Sequence, residues 1–167
     1  MSRKAMRVSY FRNFIFGVED GLVSTVGLLS GIAIADVPSG TILLTGIVLV
    51  FVEAFSMAAG SFLSEYSAEG YAEKVEEPTK RDFVAGTVMF FSYFISGFIP
   101  LSPYMIMSTN DALGLSVVLS VATLFILGVV GAKMSGTGIM RNGFRMAFVG
   151  GIAITVGMIA GKFISNL

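Results

Sequence analysis

Five apolar stretches, each close to the roughly 20 helical residues needed to cross a bilayer, constrain this chain more than any other feature. They cover residues 14–35, 41–63, 83–101, 112–132 and 144–164. Runs of 19 to 23 residues are far too long for buried strands, so the expected fold is all-α, with five transmembrane helices. The connections 36–40, 64–82, 102–111 and 133–143 leave no room for a separate soluble domain, and residues 1–167 read as a single transmembrane domain. Gly, Pro, Asn and Asp punctuate the first and third connections, as expected of breaks between helices. The first run is preceded by Arg3, Lys4, Arg7 and Arg12 and could pass for a signal sequence. A signal core spans only about 7–15 residues and would not carry Glu19 and Asp20 at its centre.

Positive charge sets the expected orientation. Ten of the eleven Lys and Arg residues lie in the N-terminal tail, in the second connection (Lys74, Lys80, Arg81) or around the fourth (Lys133, Arg141, Arg145); only Lys162 lies at the other end. The N-terminus is therefore expected inside and the C-terminus outside. Charged residues make up 13% of the chain against about 25% in soluble domains, and the charges cancel, so nothing favours a nucleic-acid partner. With no Cys and no His there is no thiolate chemistry, no zinc finger and no nucleophile–His pair. An enzyme is not expected, and no resident cofactor.

Three acids lie inside the spans: Glu19, Asp20 and Glu53. A charged side chain at mid-membrane costs about 2.5–3.5 kcal/mol on insertion scales, so such groups face a cavity, a partner or an ion path. Glu19 and Asp20 point about 100° apart and cannot both line one path. Asp20 lies roughly 10 Å inside Asn13, and Glu53 roughly 15 Å inside Leu63, which puts the two carboxylates at comparable depth. On the second helix Glu53, Met57, Ser61 and Glu65 recur every four residues on one face. Carboxylate, thioether, hydroxyl and carboxylate in series suit a divalent transition-metal ion; the plain alternative for Met57 is packing, and for Asp20 and Glu53 a buried, proton-sharing pair. Farther along, Glu65, Glu69, Glu73, Glu76 and Glu77 form an acidic stripe. It could collect cations, or be a solvated face matched by Lys74, Lys80 and Arg81. Small-residue pairs (Gly17 with Gly21, Gly27 with Gly31, Gly157 with Gly161) predict close helix contacts, with a second copy as one candidate partner for the first helix.

The segment Arg12-Asn13-Phe14-Ile15-Phe16-Gly17-Val18-Glu19-Asp20-Gly21-Leu22 resembles the first-helix motif of the vacuolar iron transporter family. Ser56-Met57-Ala58-Ala59-Gly60, then Phe62-Leu63-Ser64, is similar to its second-helix motif. Gly97-Phe98-Ile99-Pro100-Leu101-Ser102-Pro103-Tyr104 and Arg141-Asn142-Gly143-Phe144-Arg145-Met146 resemble its third-helix exit and its approach to helix five. The resemblance implies a homodimer of five-helix protomers with a cytosolic N-terminus, exporting Fe²⁺, and often Mn²⁺, from the cytosol in exchange for protons. It implies a path near the dimer interface lined by helices one and two, with Asp20, Glu53 and Met57 as metal-contacting residues. Two features depart from the family: Ser61 stands where a Glu is usual, and the short 64–82 connection lacks the long Glu- and Met-rich metal-binding segment that many members insert there. The expected partners are a second copy, divalent metal ions and the lipid bilayer, and the expected location is the cell (inner) membrane. A non-transporting membrane scaffold, with its acids paired to basic residues, and a transporter of another cation are the alternative readings.

Overall fold

The structure, a computed structural model, describes residues 3–74 and 77–166; the side chains of residues 3–5 and 73 are outside that description. Five long helices follow one another: α1 (Arg3–Ile34), α2 (Ser39–Glu73), α3 (Lys80–Leu101), α4 (Thr109–Ser135) and α5 (Ile139–Ser165), with a short 3₁₀ turn at Ser102–Met105 after α3. All five are long and apolar enough to cross a membrane, so the protein is an all-α, multi-pass membrane protein. Each helix covers its predicted span, α1 to within one residue at its end, and extends past it on at least one side, because helical hydrogen bonding continues past the hydrocarbon edge. At 1.5 Å per residue the 35-residue α2 reaches roughly 50 Å, well beyond a hydrocarbon core of about 30 Å.

Local chemistry fixes the ends. Helix α1 stops where Asp36 takes a left-handed φ of 54°, and Pro38 opens α2. Lys74, also left-handed, ends α2 by donating its N–H to the Gly70 carbonyl at 3.1 Å. Thr79 and Asp82 start α3 through a capping box: the Thr79 N–H donates to Asp82 Oδ2 at 2.7 Å. Pro103 lacks the N–H that would serve the Ile99 carbonyl, and the Ser102 hydroxyl donates there instead, at 2.8 Å.

Helix α1 is the hub. A Cβ on Gly17 would stand 2.8 Å from Ser92 Cβ, and one on Gly21 2.6 Å from the Tyr93 carbonyl, so this glycine pair lies flat against α3. A Cβ on Gly31 would stand 2.7 Å from the Gly157 carbonyl; Gly157 and Gly161 in turn lie on the backbones of Gly27 and Gly31. The glycine faces expected as a candidate contact with a second copy are therefore consumed inside the protomer, by α3 and α5. Helix α2 packs chiefly on α3 and meets α1 closely at its own beginning, where Gly46 accommodates Leu29 and Leu101. Leu29, Ala33, Ile42, Leu101, Tyr104 and Ala112 form a buried cluster at that end. Large apolar side chains such as Phe55 (71% exposed) and Phe163 (68%) project outward, as lipid-facing residues do.

Gly157→Ala forces the α1 and α5 backbones apart, and a loss of about 1–3 kcal/mol is expected, the usual cost of overpacking. Gly151→Ala, with nothing within 4 Å, is expected to leave stability unchanged or slightly raised. Thermal unfolding of the two purified variants in detergent checks this; equal melting temperatures would contradict the close α1–α5 contact.

Candidate functional site

Helices α1 and α2 run antiparallel, and one face of each carries polar or small residues once per turn. On α1 these are Ser9, Asn13, Gly17 and Asp20; on α2, in opposite order, Glu65, Ser61, Met57 and Glu53. Contacts at both ends fix the register. The Ser9 hydroxyl donates to the Glu65 carboxylate, and about three turns away the charges of Asp20 and Glu53 act on each other. Between these ends lies a groove of about 650 Å³ bordered by Asn13 and Phe16 of α1, Met57, Ser61 and Ser64 of α2, and Met89 of α3. Arg12, which is exposed, also borders it.

Asp20 and Glu53 stand one turn past the groove, Asp20 four residues beyond Phe16 and Glu53 four before Met57. Both are half-buried, and neither has an ion pair among the described residues. Beyond them the space closes. Ser24 donates to the Asp20 backbone carbonyl at 2.6 Å and lies 2.6 Å from the hydroxyl of fully buried Tyr93. Since a serine has one proton to give, Tyr93 is the donor to Ser24. Tyr93 also feels both carboxylate charges. Just past it, Thr25, Val50 and Gly97 converge, with no room for a Cβ on Gly97.

Glu19, its neighbour notwithstanding, faces elsewhere and is drawn electrostatically to Arg145 of α5. Among the described residues no three His, Cys, Asp or Glu side chains come together as a metal cage. A cation between Asp20 and Glu53 would thus need neutral donors, or a second copy, to complete its shell.

The acidic stripe divides. Glu65 and Glu69 are buried, and both bind Arg81, at 3.3 Å through Nη2 and 2.6 Å through Nη1. The Thr79 hydroxyl adds a hydrogen bond to Glu69 at 3.0 Å. Of the three basic residues expected to match the stripe, Arg81 does so, while Lys74 and Lys80 are exposed. Because α2 ends at Glu73, Glu77 is not on the helical stripe; it is exposed in the connection that follows. The Glu73 side chain and Glu76 lie outside the described residues. Ser9, Asn13, Met89 and Tyr93 are contributions that sequence reasoning either missed or left without a role. The four-residue recurrence of Ser9, Asn13 and Gly17 leading to Asp20 was the available signal for the α1 side.

A bundle of five spanning helices with an acid-headed polar groove between two of them has the architecture of a polytopic carrier. The VIT family pattern matches residues 11–84 and 69–162, the two segments meeting over the α2–α3 connection, and the chain belongs to the VIT family. Vacuolar iron transporter 1 of Arabidopsis thaliana is 26% identical, covering 93% of this chain and 86% of its own length. Vacuolar iron transporter 2 of Oryza sativa subsp. japonica is 25% identical (85% and 82% covered), and Vacuolar iron transporter homolog 2 of Arabidopsis thaliana 27% (90% and 82%). The match to the first runs over 215 positions, more than the 167 residues here, so that relative carries inserted sequence this chain lacks; the match to the third runs over 162.

Arg81→Gln leaves two buried carboxylates side by side without their cation, and a destabilisation of about 3–5 kcal/mol is expected. Lys80→Gln, at an exposed position, is expected to stay within about 0.5 kcal/mol of the parent. Thermal melts of both variants read the difference directly.

Proposed function

We propose that this protein is a carrier of divalent metal, Fe²⁺ or Mn²⁺, that moves the ion out of the cytosol between α1 and α2 in exchange for protons. The carrying observation is the Asp20–Glu53 pair: two carboxylates within electrostatic reach, at the head of a polar groove, with no basic partner among the described residues. A scaffold would neutralise such acids, as Arg81 neutralises Glu65 and Glu69. Leaving them unpaired inside the bilayer makes sense when the counter-charge is a passing ion. Protons and a dication compete for the same oxygens, which couples their movements. The names of the relatives as iron transporters favour iron as cargo.

Asp20, Glu53, Met57 and Ser61 line the path in this reading, and Glu65 with Glu69 belongs to a clasp that ties α1, α2 and α3 together. The exposed Glu77 keeps the cation-collecting role, with Glu73 and Glu76 as its neighbours in sequence. A homodimer completes the picture. Ser56, Gly60 and Ser64 form an exposed small and polar strip beside the groove, a poor surface for lipid and a good one for a second copy. The basic starts of α1, α3 and α5 gather at one end of the bundle, where Ser9 meets Glu65 and Arg81 and where Ile15 meets Gly131; this end faces the cytosol of a cell (inner) membrane.

Asp20→Asn keeps the shape of the side chain and removes its charge. In proteoliposomes this variant is expected to show Fe²⁺ and Mn²⁺ flux no greater than empty vesicles, at an unchanged melting temperature. Wild-type flux from the variant would overturn the role of the carboxylate pair.

A further inference from the structure

The groove below the carboxylates is lined by groups that share an unusual chemistry. Met89, on α3, is 3% exposed, and its sulfur lies 3.1 Å from the point where a Gly17 Cβ would stand. The missing side chain of Gly17 is what lets this thioether lie against α1. Met57 lines the same groove from α2, on the rung opposite Gly17. One turn nearer the Glu65–Arg81 clasp are Asn13 and Ser61. Asn13 is 6% exposed, and its carboxamide makes no hydrogen bond among the described residues. The Ser61 hydroxyl is buried and likewise without a partner. Buried hydroxyls are bonded in the great majority of cases, so the open Ser61 hydroxyl, with the unbonded Asn13 amide bordering the same groove, marks a place for a guest.

We propose that Met89 joins Met57, Asn13 and Ser61 as a soft-donor station for the divalent ion in transit, and that Met89 sets selectivity against Mg²⁺ and Ca²⁺. The proposal rests on the transport reading above. Two thioethers, a carboxamide oxygen and a hydroxyl are four neutral donors, and the negative charge comes from Asp20 and Glu53 one turn deeper. Thioether sulfur gives a transition-metal ion a ligand that it accepts and that Mg²⁺ and Ca²⁺, which need hard oxygen, do not. Among the described residues Arg12 carries the one positive charge bordering the groove; its exposed stem is long enough to hold the guanidinium at the aqueous boundary. A methionine that merely filled space could be exchanged for leucine without consequence for ion choice.

The test is Fe²⁺ uptake, under reducing conditions, into proteoliposomes challenged with excess Ca²⁺ or Mg²⁺. Wild type, Met89→Leu and Met89→Gln are compared at equal reconstitution, with melting temperatures recorded. Met89→Leu is expected to lower the Fe²⁺-over-Ca²⁺ preference by about tenfold, the scale on which losing one partner of a metal site registers. Met89→Gln, which offers a hard oxygen, is expected to lower it further and to admit Ca²⁺. An unchanged preference in the folded variants overturns the station and leaves the transport reading intact. A wild type that moves no Fe²⁺ overturns the transport reading, and the station with it.

Discussion

Close backbone contact made by glycines of α1 is the constraint on which the rest of the structure depends. Inside a bilayer, apolar side chains gain little by leaving lipid for one another, so helix association relies on packing and on how nearly backbones can approach. Gly17 and Gly21 bring α1 onto α3, and Gly27 and Gly31 bring it onto Gly157 and Gly161 of α5. Held by α3, α5 and also α4, α1 turns the face that carries Ser9, Asn13 and Asp20 toward α2. Helix α2 leans on α3 and meets α1 near Gly46 and, at the other end, through the Ser9–Glu65 hydrogen bond. The polar groove is the space that this arrangement leaves between them.

The acids fall into two electrostatic classes. Glu65 and Glu69 are buried, but Arg81 supplies their counter-charge, and Ser9 and Thr79 bond to their oxygens. Such a cluster holds three helices together at the basic end of the bundle, with both carboxylates paired to the guanidinium. Among the described residues Asp20 and Glu53 have no basic partner and act on each other, with Tyr93 and Ser24 closing the space beyond them. On the transport reading proposed above, the contrast separates a structural role from a transport role among residues of similar chemistry.

Much of the fold was legible because apolar run length reports a bilayer crossing almost directly. The comparable depth of Asp20 and Glu53 followed from helical rise alone, since both helices are regular and a short turn joins them. Tertiary choices were less accessible. The glycine pairs announced tight contacts without naming partners, because a small-residue pair accepts any neighbouring backbone. The acidic stripe looked continuous, but α2 ends at Glu73, and Arg81 folds back onto its first two members, Glu65 and Glu69. Met89 carried no signal at all: methionine in an apolar helix is ordinary, and its place beside Gly17 depends on how α3 is rotated.

The most direct measurement is anomalous diffraction from crystals of the full chain soaked in Mn²⁺ or Fe²⁺. A strong peak between Asp20 and Glu53, lost in Asp20→Asn crystals, is the predicted result. No peak at the pair in well-ordered crystals, or a peak confined to Glu65 and Glu69 with Arg81 displaced, would contradict a dication held by the unpaired carboxylates.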